Sequence, residues 1–98
     1  MKTLILSSLI LAVTATTSMA GTPYVDKREH RQVHRIYKGI AGGELTFRET
    51  KQLLRGQARI HRAERLFKSD GYVSPVERTL LHLMQDYESR RIYRKKHN

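Results

Sequence analysis

Apolar residues recur along this chain at helical spacing in three blocks separated by glycine. In the first, Val33, Ile36, Tyr37 and Ile40 fall at i, i+3, i+4 and i+7, and Gly42-Gly43 stops the run. Asp26 followed by Glu29 reads as a capping box, which predicts a helix over 27–41. The second block carries Phe47, Leu53, Leu54, Ala58, Ile60 and Phe67, opens at Thr46 with Glu49 three residues on, and meets no proline before Ser69-Asp70-Gly71. A helix over 47–68 follows. In the third, Ser74 caps, Pro75 takes the first helical position, and Val76, Leu80, Leu83, Met84 and Tyr87 keep the period, predicting a helix over 75–95 whose basic end frays.

The second and third helix starts are copies of one another at a spacing of 28. Gly43-Glu44-Leu45-Thr46-Phe47-Arg48-Glu49 aligns with Gly71-Tyr72-Val73-Ser74-Pro75-Val76-Glu77, and the register continues through Leu53 and Leu81, Gln57 and Gln85, Arg62 and Arg90. The repeat therefore covers 43–65 and 71–93. Short connections between helices force antiparallel neighbours, so the expected fold is all-α: a small up-down-up domain over 21–98 in which the outer helices both pack on the middle one.

Residues 1–20 read differently. Lys2, an apolar run from Leu4 to Val13, and Ser18-Met19-Ala20 ahead of Gly21 make a secretory signal peptide. The run is too short for the ~20 residues of a membrane span. The expected address is periplasmic or secreted. The chain has no cysteine, which removes disulfides, thiol catalysis and cysteine-ligated metals. A domain this small has a limited core, so a marginal monomer or a homodimer is expected.

Charge changes the picture most. The chain has 19 Lys and Arg against nine Asp and Glu, a net charge of +10 that becomes +9 once Lys2 leaves with the signal. On the middle helix Arg48, Lys51, Arg55, Arg59 and Arg62 share an arc of about 80° opposite the apolar positions, forming a positive ridge. The C-terminal segment adds Arg90, Arg91, Arg94, Lys95 and Lys96, interleaved with Ile92 and Tyr93. Such surfaces suit an anionic partner: a polyanion or anionic envelope surface, or an acidic protein. Basic stretches with aromatics also suit nucleic acid, but export argues against it.

Candidate chemistry is sparse. Asp70-Gly71-Tyr72-Val73-Ser74 with Glu77 resembles the second half of the calcium-binding EF-hand loop, but Leu66 and Lys68 stand where the family places its first acidic ligands. In the upstream copy Lys38, Ile40 and Gly42 replace three ligands. A glycine turn leading into a capped helix accounts for the same residues. His30 and His34 share a helix face at i, i+4, a spacing two metal-ligating imidazoles can use, though arginines flank both. No nucleophile elbow, phosphate loop or acid pair is present, so the reading is a non-enzymatic protein without a cofactor.

Glu44-Leu45-Thr46 with Arg48-Glu49, Asp70 to Ser74 with Glu77-Arg78, Met84-Gln85 and the ending Ser89 to Asn98 resemble an uncharacterised group of short, basic, exported bacterial proteins. That resemblance spans about residues 26–98 and implies a bacterial envelope setting. It implies no activity and carries over no site residue. Two alternatives to anion binding remain open: a metal-responsive module using Asp70 and Glu77 or His30 and His34, and a structural subunit whose apolar face a partner completes.

Overall fold

The computed structural model describes residues 21–98. The signal peptide expected over 1–20 lies outside them. Three helices form the domain, α1 (Pro23–Ala41), α2 (Phe47–Lys68) and α3 (Pro75–Lys96). No helix of the described residues is long and apolar enough to cross a membrane.

Local chemistry sets α2 and α3 as expected. Thr46 and Ser74 accept from the backbone N–H of Glu49 and Glu77, while each glutamate accepts in return from the N–H of its capping residue. Gly43 and Gly71 sit at φ 72° and 83°, the left-handed region that glycine enters without a Cβ clash. The start of α1 departs from expectation. It begins at Pro23, so Asp26 lies inside the first turn and the predicted capping box is not used. Thr22 occupies the cap position, but its hydroxyl donates to Glu64 of α2 instead of capping. α3 also continues through Lys96, so the basic segment is helical.

Each helix packs against both of the others, so α1 and α3 meet each other as well as α2. Cross-helix pairs show the directions. Thr22 reaches Glu64 and Gln32 reaches Gln57, an antiparallel sense, whereas Arg28 pairs with Asp86 and Arg35 with Ser89 in a parallel one. The arrangement is up-down-up.

The core is two apolar clusters with a polar layer between them. Ile36, Leu45, Leu53 and Ile92 form one, and Val25, Ile60 and Leu81 the other. One glutamine from each helix fills the middle. Gln57 donates to the Gln32 carbonyl at 2.9 Å, Gln32 to the backbone carbonyl of Gln85 at 2.8 Å, and Gln85 to that of Val25 at 2.9 Å. The side-chain oxygens of Gln57 and Gln85 are buried without a hydrogen-bond partner. Such a layer costs desolvation, and its three hydrogen bonds join all three helices.

Burial corrects the expected faces. Of the first helix's four periodic residues only Ile36 is fully buried; Tyr37 and Ile40 are exposed, and Val25, Gln32 and Gly39 face inward instead. On α2, Phe47 and Ala58 are exposed, and Gly56, Gln57 and Glu64 join Leu53 and Ile60 inside. On α3 the reversal is nearly complete: Val76 (69%), Leu80 (45%), Leu83 (56%) and Tyr87 (52%) are exposed, while Leu81, Gln85, Glu88 and Ile92 are buried. Polar residues hold much of the interior stripe, so apolar spacing pointed to the wrong side.

With burial known, the 28-residue repeat extends to α1. Val25, Leu53 and Leu81 are equivalent, as are Gln32, Ile60 and Glu88, and Ile36, Glu64 and Ile92, and all nine are buried. Glu64 is thus an acid at a position where both other helices carry isoleucine.

Candidate functional site

The five ridge residues, Arg48, Lys51, Arg55, Arg59 and Arg62, are all exposed on α2. Arg48, Lys51 and Arg55 line a shallow hollow on α2 itself, with Phe47 and Gln52. Gly56 lies against Glu88, and the Asn98 amide is 3.5 Å from Glu49, so the first half of α2 runs alongside the basic end of α3. Arg59 stands at the border, 3.7 Å from the Glu88 carboxylate, and lines a shallow groove with Leu80, Leu83, Met84 and Tyr87.

The tail cations divide by role. Arg91 donates to both Glu88 oxygens at 2.9 and 3.1 Å, and Lys96 turns to the Arg35 carbonyl and to Glu44. Arg90 and Arg94 are exposed, and Arg91, Arg94 and Lys95 border a shallow hollow with Asn98. At about 100° per residue, Val76, Leu80, Leu83 and Tyr87 lie on the same side of α3 as Arg90, Arg91 and Arg94. The α2–α3 face therefore passes from exposed apolar residues at one end to exposed cations at the other.

The candidate metal residues from the sequence are engaged or apart. Asp70 accepts from the Tyr72 N–H and Glu77 from the Ser74 N–H, so both carboxylates serve the turn and the cap. His30 and His34 are exposed on α1, and His34 borders a hollow with Arg28, Arg31 and Arg35.

A different set converges where α1 meets α2. Glu29, His61 and Glu64 bring three possible ligand atoms within 4.8 Å of one another. Glu64 is 3% exposed and receives Lys68 Nζ at 2.9 Å as well as the Thr22 hydroxyl. Burial pushes its carboxyl up, but hydrogen bonds from Asp26, Thr22 and Lys68 outweigh that and hold it below the ordinary value. Asp26 goes the other way, raised by burial and by sharing a hydrogen bond with the Glu64 carboxylate. The sequence reading, which assigned Glu29 to a cap, did not bring Glu29, His61 and Glu64 together. Glu64's place 28 residues after Ile36 and 28 before Ile92 was the available signal.

Fold and surface together define a small, strongly basic three-helix protein with an amphiphilic α2–α3 face. No family model, curated protein or solved structure matches the chain.

Proposed function

We propose that this is an exported protein that binds the anionic headgroup surface of an envelope lipid through its α2–α3 face. One observation supports the reading above others: exposed cations adjoin exposed apolar side chains across two neighbouring helices. Lipid phosphates match Lys51, Arg55, Arg90 and Arg94, each contributing roughly 1 kcal/mol near a charged surface. Leu80, Leu83 and Tyr87 match the acyl boundary beneath the headgroups. A soluble polyanion would use only the charged half.

The test is co-sedimentation with vesicles of phosphatidylglycerol and of phosphatidylcholine. Expected is binding to the anionic vesicles that falls with salt, and its loss in K51E/R55E with helicity unchanged. These two positions serve better than Arg59, whose reversal would also disturb Glu88. Equal binding to both vesicles, or binding indifferent to the reversal, overturns the reading. Binding to an acidic polypeptide but to neither vesicle transfers the face to an acidic protein partner.

A second reading rests on the exposure of Val76, Leu80, Leu83 and Tyr87 along one side of α3. A subunit completed by a second copy of the chain would cover that stripe. It predicts melting that rises with protein concentration and loses that dependence in L83S.

A further inference from the structure

We propose that Glu29, His61 and Glu64 form a divalent transition-metal site that clamps α1 to α2. The site is independent of the α2–α3 face, because its ligands lie on the side of α2 turned toward α1.

Geometry is the first argument. His61 Nδ1 lies 3.6 Å from Glu29 Oε2 and 3.9 Å from Glu64 Oε1. Both separations exceed a hydrogen bond. Adjacent ligands of a tetrahedral zinc ion, with bonds of ~2.0–2.1 Å, stand about 3.3 Å apart. Rotation of His61, whose side chain is 56% exposed, closes the few tenths on its two sides, and rotation of Glu29 brings its carboxylate, now within 4.8 Å of Glu64, to ligand distance. Glu64 is preset for the role. Thr22 and Lys68 occupy its Oε2, which leaves Oε1 as the oxygen facing the imidazole. Holding the second oxygen of a ligating carboxylate in this way fixes the orientation of the first.

Charge and register are the second argument. The chain has nine acidic residues, and Asp26, Glu29 and Glu64 meet at this one corner. Glu64 also stands at the repeat position that is Ile36 in α1 and Ile92 in α3, both fully buried. The carboxylate there relies on Thr22 and Lys68 at one oxygen, and its other oxygen is turned to His61. One imidazole with two carboxylates suits zinc or a similar first-row ion with water completing the shell. Calcium, which wants six to eight oxygens, is a poor fit.

The test uses the untagged protein stripped with a chelator. Zinc chloride is titrated by calorimetry, melting is followed alongside, and cobalt absorption supplies a direct view of the ligands. Expected is one ion per chain and, at ~100-fold excess over Kd, a rise in Tm of roughly 10–20 °C. H61A and E29Q keep their helicity, lose at least tenfold in affinity and lose the cobalt bands, while H30A/H34A retains all three responses. No zinc or cobalt binding, a response unchanged in H61A and E29Q, or one abolished in H30A/H34A overturns the site.

Discussion

Gly56 of α2 lies directly against the carboxylate of Glu88 on α3, so that a Cβ at position 56 would collide with Cδ and both oxygens of Glu88. Glu88 is 3% exposed and is held by Arg91 and Arg59. Glycine inside a helix is unfavourable by ~1 kcal/mol against alanine, so propensity alone says that Gly56→Ala should stabilise. The contact says the reverse. G56A should lower stability by about 1–3 kcal/mol, because it displaces a buried, paired carboxylate. In G56A/E88A the penalty should disappear, and denaturant melts of the four proteins in the cycle measure the coupling. Additive effects would show that the two residues do not share space.

Leu81 and Leu83 provide a test of which face is inside. Leu81 is fully buried and Leu83 is 56% exposed. Leu81→Ala should cost about 2–5 kcal/mol, whereas Leu83→Ser at low protein concentration should stay within about 0.5 kcal/mol. Apolar periodicity alone ranks them the other way.

The glutamine layer should respond non-additively. Gln32→Leu removes the acceptor of the Gln57 amide and the donor to the Gln85 carbonyl, leaving a buried polar group unmatched at a cost of about 1–3 kcal/mol. Q32L/Q57L/Q85L removes all three amides and should melt higher than Q32L alone. Its side-chain dispersion in NMR spectra should narrow, because a layer that joins all three helices has been lost.

Asp26 gives a pH-dependent prediction, read in chelator-containing buffer. Its carboxyl is raised above 3.8, so its contribution favours the fold at low pH and is lost as pH rises through the raised value. Glu64 is lowered from 4.5, so its contribution is present above that value and is lost as pH falls through the folded value. Asn at position 26 donates to Glu64 as the protonated acid does, without the second negative charge. D26N should therefore raise unfolding stability at pH 7, by less than about 1 kcal/mol because Asp26 is exposed and water screens it. Below pH 4 the gain should shrink. A gain that grows on acidification would contradict the shared hydrogen bond.

What this chain's sequence determined by itself is what four or five consecutive residues can decide. Thr46 with Glu49 and Ser74 with Glu77 cap α2 and α3 through contacts three residues long, and Gly43 and Gly71 supply the left-handed turns before them. Helix count, the bounds of α2, the short antiparallel links and the exposed ridge on α2 followed from such local terms and from charge spacing. The start of α1 did not, because Asp26 and Thr22 turn to Glu64, a partner reached only after the chain has folded back. The inward faces of α1 and α3 were likewise decided by tertiary structure. Gln32, Gln85 and Glu88 are tolerated inside because other helices supply Gln57, the Val25 carbonyl and Arg59. Burial of a polar group depends on partners distant in sequence, and the spacing of apolar residues along one helix holds no record of them.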